Sequence, residues 1–246
     1  HEGSFDSPVT WRLDLDGSEH LAPLITGIAF RGVTNGPCPD WMARRLNAIG
    51  QRPISALVDI TNYVMFDLGR PLHAYDIDKI HGSELIVRQA DGGEPFAALN
   101  EKTYEMEAGM ITIGDAEGVD DLAGVMGGER TGVSDSTTGM FLEIAVFDPI
   151  SVATTGRKLN LNSDARYRFE RGLDSESPVW TAGHIARMVT EICGGEASVP
   201  VTMGPGVDWK RSIFLGSGKV ESLTGMQIDT AEQQRILEAL GFTVTS

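Results

Sequence analysis

The chain has 246 residues, 41% of them hydrophobic, which is enough to bury one or two cores, and no apolar run approaches the length of a membrane span. With 35 acidic residues against 20 basic ones, the formal charge is −15, which opposes broad attraction to nucleic acid and confines any such contact to a small site. The two cysteines, Cys38 and Cys193, form no CxxC pair and have no histidine at ligand spacing, so reduced thiols in the cytosol are expected and zinc is not.

Residues before about Leu21 follow no clear pattern and are expected to be irregular. "LITGIAFRGV" (Leu24–Val33) reads as a strand. "PDWMARRLNAIG" (Pro39–Gly50) reads as a helix, with proline at its start and glycine at its end. "ALVDITNYVMFDLG" (Ala56–Gly69) predicts a second helix, with Leu57, Ile60, Val64 and Leu68 on one face and Gly69 placed to end it. From Glu84 the period changes to two. "ELIVRQA", "FAALN", "KTYEM" and "MITIG" are short strand candidates, and "NEKTY" is a hairpin tip. After the glycine-rich "LAGVMGGERTGV", the run "GMFLEIAVF" (Gly139–Phe147) is apolar on both sides of Glu143, as in a buried strand. "DPISVATTGRKLNL" and "SPVWTAGHIARMVTEICGG" return to helical spacing.

Strands in the middle and helices at the flanks predict an α+β fold with a mixed or antiparallel sheet, not a doubly wound one. "VTMGPGVDW" (Val201–Trp209) reads as a linker. Beyond it lie one expected strand, "RSIFLG", one helix, "DTAEQQRILEAL", and the start of another strand. These are too few to close a core, so a second domain is expected to be truncated there.

Four features carry possible chemistry. "GVMGGERTG" is glycine-dense, but it matches neither the Walker lysine motif nor GxGxxG after a strand. Gly127 and Gly128 therefore either let backbone approach a ligand or make a turn. His73 is isolated from any metal or triad pattern, and read alone it is more often structural than functional. Glu143 carries a large desolvation cost unless it is paired or meets a polar ligand, and both readings stand. Arg166, Arg168 and Arg171 could contact phosphate, or they could pair locally with Asp164, Glu170 and Asp174. No GxSxG elbow and no Cys–His neighbour nominates a nucleophile.

Taken together, "DITNYVMFDLGRPLHAYD", "GGERTGVSDSTTGMFLEIAVFDP" and "SDARYRFERGLD" resemble the editing domain in the beta subunit of bacterial phenylalanyl-tRNA synthetase. The resemblance covers roughly Leu21 to Gly204, with the motifs in that family's order. It implies an editing domain over residues 1–204 and the truncated start of a winged-helix-like domain over 205–246. The implied activity is hydrolysis of tyrosine wrongly attached to the phenylalanine tRNA. His73 and Asn62 would be catalytic, orienting water and the terminal ribose. Thr61, Pro71, Gly127, Glu143, Ser163 and Ala165 would bind substrate, with Glu143 accepting from the phenolic hydroxyl. The family commonly has threonine at Ser163, and the residues around Asn162 and Arg166 also depart from its usual order.

No cofactor is expected in this region, while ATP and magnesium are implied for the whole enzyme. An alpha subunit in an alpha2beta2 heterotetramer and the CCA end of tRNA(Phe) are the implied partners, in the cytoplasm. The alternatives are a non-catalytic scaffold of the same subunit and a stand-alone aminoacyl-tRNA deacylase. Intact Asn62, His73 and Glu143 argue against the first, and the tail "KRSIFLGSGKVESLTG" against the second.

Overall fold

In the computed structural model, residues 3–245 are described, and the first regular element falls where irregular chain was expected. β1 (Thr10–Asp14) is a strand. Val9, Trp11 and Leu15 are buried and alternate with polar residues, a period-two signal that the N-terminal segment does carry. β2 (Leu24–Arg31), α1 (Asp40–Ala48) and α2 (Ala56–Leu68) follow, close to their expected bounds. Gly69 ends α2 in the left-handed region, with φ 68. β3 (His73–Asp76) comes next, so His73 begins a strand.

β4 (Glu84–Gln89), the hairpin β5 (Pro95–Ala98) and β6 (Lys102–Glu105), and β7 (Ile111–Gly114) match the period-two segments. β8 (Val119–Leu122) leads into the glycine-rich stretch and β9 (Met126–Gly127) lies within it, while β10 (Gly139–Val146) is the buried strand around Glu143. α3 (Pro149–Lys158) opens on Asp148, whose carboxylate accepts from Ser151 N at 2.7 Å. α4 (Asp164–Phe169), α5 (Ser177–Cys193), β11 (Glu196–Ala197) and β12 (Val201–Met203) complete the first unit, which ends at Val207. β12 pairs with β2, so the expected linker starts as a strand.

Two sheets result. One has the order β1-β4-β7-β8-β9, with β1 parallel to β4 and the other pairs antiparallel. The other is antiparallel, β11-β2-β10-β3, with β12 also on β2. Strand alternation divides the apolar residues of β10 between two cores. Met140, Leu142 and Ile144 pack with Leu57, Ile60, Val64 and Ile185 of α2 and α5. Phe141 and Ala145 pack with Trp11 and Leu85 of the first sheet and with Phe96 of the hairpin. Each large side chain so buried contributes about 1.5–3 kcal/mol. Glu143 shares the face of Phe141 and Ala145, and it therefore points between the sheets.

The second unit begins at Asp208. It contains α6 (Lys219–Thr224) and α7 (Thr230–Ala239), the latter as expected. The strand expected at 211–216 does not form. A strand needs a neighbour to satisfy its backbone, and the described residues of this unit offer none.

Candidate active site

β3 and β10 set the centre of the site. Their antiparallel register places His73 directly opposite Glu143, and residues opposite one another project from the same face. Both line a cavity of ≈ 270 Å³, together with Asn62 and Met65 of α2, Pro71, Asp121 of β8, Gly127 of β9, and Ser163 and Ala165 at the start of α4. A larger open groove of ≈ 510 Å³ lies elsewhere, beside Trp41 and His184, and none of the predicted residues lines it.

Seven of the eight residues singled out from the sequence thus share one cavity. Thr61 does not. Successive helical residues diverge by about 100° around the axis, so the turn that aims Asn62 and Met65 inward turns Thr61 aside. Its hydroxyl donates to Val58 O at 2.7 Å. Ser163 reaches the cavity wall, but its hydroxyl is engaged. It donates to Val125 O at 2.5 Å and accepts from Arg166 N at 3.0 Å, capping α4 and tying it to the glycine-rich turn. Among the described residues, no protein group hydrogen-bonds the Asn62 carboxamide.

Gly127 has a specific reason to be glycine. A Cβ there would lie 2.1 Å from His73 Cε1 and 2.6 Å from Nδ1, so the bare backbone accommodates the imidazole. The ring also stands edge-on to Tyr75, with centroids 4.5 Å apart. Its Nδ1 is 3.6 Å from Asp121 Oδ2, beyond hydrogen-bond range, and its buried Nε2 has no partner among the described residues. Burial pushes the His73 pKa down to about 4, so the imidazole is neutral at physiological pH.

The carboxylates are perturbed in the opposite sense. Burial raises Glu143, against favourable influences from the Tyr75 hydroxyl and the Arg70 guanidinium. Burial raises Asp121 most, and the charges of Glu143 and Asp120 raise it further. The buried Tyr75 hydroxyl is near both carboxylates yet has no partner in hydrogen-bond geometry. The sequence reading overlooked Asp121. The available signal was "VDDL", two adjacent acids in a strand, which alternation must send to opposite faces. Asp120 does face away, accepting from Arg130 at 2.6 Å and from Thr131 at 3.1 Å.

The three arginines of "SDARYRFERGLD" are locally engaged. Arg166 meets Glu170 at 3.0 Å, Arg168 meets Asp164 at 3.4 Å and Arg171 meets Glu170 at 2.7 Å. Asp174 contributes its carbonyl to Arg70 instead. Neither thiol offers a nucleophile, since burial pushes Cys38 and Cys193 both up to about 11.

An α+β fold with a buried acid–imidazole cavity between its sheets is the class that these features define. The family model described as "B3/4 domain" matches residues 21–194, and the chain belongs to that family. It is 48% identical over 98% of its length to the phenylalanine–tRNA ligase beta subunit of Ruegeria pomeroyi, covering 30% of that protein. The corresponding subunit of Paramagnetospirillum magneticum is 47% identical over 98% of the chain and is likewise covered to 30%. The chain thus spans about a third of the length of these relatives. Among solved structures, an N-terminal fragment of the phenylalanyl-tRNA synthetase beta subunit from Pyrococcus horikoshii superposes over 98% of the chain and 66% of that fragment, with TM-score 0.52 and 14% identity. That last likeness is one of fold.

Proposed function

We propose that this domain is the editing site of a phenylalanine–tRNA ligase beta subunit, hydrolysing tyrosyl-tRNA(Phe) after mischarging. The observation that carries the reading is the meeting of Asn62, His73, Gly127 and Glu143 in one cavity, from three strands and a helix. Its volume of ≈ 270 Å³ lies just under the range of about 300–1,000 Å³ usual for drug-sized ligands, and suits one aminoacyl group.

A pocket built for phenylalanine rejects an isostere with one added hydroxyl by only about 10²-fold, so a second site must select for the hydroxyl. Glu143 supplies a buried carboxyl group for that contact. A hydrogen bond involving a charged group contributes about 1.5–3 kcal/mol, or roughly 10- to 150-fold. Phenylalanine would leave the buried carboxyl without that contact.

The ester bond of an aminoacyl-tRNA needs only a positioned water and stabilisation of the developing oxyanion. The unpartnered Nε2 of neutral His73 can hold that water, and the free Asn62 carboxamide can hold the terminal ribose. The parent enzyme would charge tRNA(Phe) with phenylalanine using ATP and magnesium, beside an alpha subunit in an alpha2beta2 assembly in the cytoplasm. The glycine-rich segment does not suit a nucleotide, because Gly127 packs on His73 and no lysine follows. No step here runs through ATP or magnesium.

Deacylation of tyrosyl- and phenylalanyl-tRNA by the whole enzyme, wild type and Glu143→Ala, tests the reading. Loss of roughly 10- to 150-fold in tyrosyl preference is expected. Retained preference would make Glu143 a structural residue and place the hydroxyl sensor elsewhere. Because His73 is already neutral, the background-corrected rate should show no inflection near its ordinary pKa of about 6.5. An inflection there that disappears in His73→Gln would instead make the imidazole a proton carrier.

A further inference from the structure

Asp121 has no part in the reading above, yet it lines the same cavity as Glu143 and is almost fully buried. Among the described residues, no cation pairs with its carboxylate, and its nearest basic atom is Nδ1 of the neutral His73, at 3.6 Å. An isolated buried carboxylate of this kind is costly, and two of them in one small cavity are costlier still.

The other titratable and charged groups around the two are few. β3 contributes His73 and Tyr75, and Arg70 stands close enough to favour the ionised form of Glu143. On β8 itself, Asp120 faces away and is bridged with Asp115 by Arg130. From α4, Asp164 is engaged by Arg168 and by Gln51. None of these provides a counter-charge to Asp121.

We propose that Asp121 is a specificity-determining residue of this site, forming with Glu143 a carboxyl pair that keeps one proton and offers both an O–H donor and an acceptor oxygen to a phenolic hydroxyl. A phenol donates one hydrogen bond and accepts others, so such a pair meets both of its capacities, whereas a lone carboxylate meets only the donor. A phenylalanyl ring meets neither. Burial raises both groups, and the charge of Glu143 raises Asp121 further, which agrees with a retained proton.

The inference rests on the editing reading, and one titration separates the two. The probes are amide-linked, non-hydrolysable tyrosyl- and phenylalanyl-adenosine. Calorimetry on the whole enzyme gives the ratio of their dissociation constants between about pH 6 and pH 9, where the phenol itself stays protonated. The α-amine titrates in both probes and cancels in the ratio.

Wild type should prefer the tyrosyl probe at neutral pH, and this preference should fall about tenfold as the shared proton leaves. Asp121→Asn retains a donor beside Glu143, so its preference should persist without the alkaline fall. An alkaline fall as large in Asp121→Asn as in wild type, or none in wild type, overturns the pair. No tyrosyl preference in wild type at any pH overturns the editing reading itself. If Asp121→Asn lowers the melting temperature together with binding of both probes, Glu143→Gln repeats the test from the other side. An undiminished alkaline fall there likewise overturns the pair.

Discussion

Replacing Arg70 by methionine should destabilise the fold by about 3–5 kcal/mol at neutral pH, the range found when one member of a buried polar assembly is removed. At roughly 2–4 °C per kcal/mol for a domain of this size, the melting temperature should drop by roughly 6–20 °C. Arg70 is only 1% exposed, and it is held by three acceptors on two separate stretches of chain. Its Nε donates to Ser177 Oγ at 2.8 Å, its Nη1 to Ala145 O at 2.7 Å and its Nη2 to Asp174 O. It therefore fastens β10 to the start of α5. Burial pushes its pKa down to about 10, opposed by Asp174 and Glu143, so it remains charged at neutral pH.

Methionine fills much of the volume but leaves those acceptors without a donor. It also removes the cation that favours ionised Glu143. Arg70→Lys should recover only a minority of the loss, because a compact ammonium cannot reach three acceptors that the planar guanidinium serves at once. Thermal and urea melting would decide the point. A methionine variant melting within about 2 °C of wild type would mean that the guanidinium only offsets the cost of its own burial.

Much of the scaffold was legible because its signals are local. The helical spacing of Leu57, Ile60 and Val64, the terminating Gly69 and the apolar run around Glu143 all appear in the structure as read. Pairing is not local. β1 depends on a parallel partner far along the chain, and although Val9, Trp11 and Leu15 alternate correctly, a short alternating segment with no adjacent hairpin gives little notice of its neighbour. The reverse error occurred at 211–216, where residues with strand propensity lack a partner strand in their own unit.

The site divides in the same way. His73, Gly127 and Glu143 stood out in the sequence itself and resemblance added Asn62, but the opposition of His73 to Glu143 is a matter of β3–β10 register that no window of sequence contains. Asp121 was hidden because its place in the cavity follows from which face of β8 it occupies. Thr61 illustrates the converse. A residue can neighbour Asn62 in sequence and still turn away on the helix.

Gly127→Ala is the sharpest test of how the imidazole is held. The new methyl group would sit 2.1 Å from His73 Cε1 and 3.0 Å from Leu99 Cδ1, so atoms must move. The backbone at Gly127 can yield little, because it opposes Asp121 across β8 and its carbonyl accepts from Leu99 N at 3.0 Å. The ring can yield only by leaving its edge contact with Tyr75. Overpacking of this kind costs about 1–3 kcal/mol. A displacement of about 1 Å at a positioning group lowers a rate by roughly 10²-fold, so tyrosyl-tRNA deacylation should fall by that order.

The glycine has no positive φ in this structure, so conformational strain is not the cause. A double-mutant cycle isolates the clash. In a His73→Ala background the same glycine substitution should become nearly neutral, leaving a coupling of about 1–3 kcal/mol in melting experiments. If Gly127→Ala is equally destabilising with and without the imidazole, the glycine serves the β8–β9 turn and not His73. The close approach would then be a consequence of the fold and not the reason for the residue.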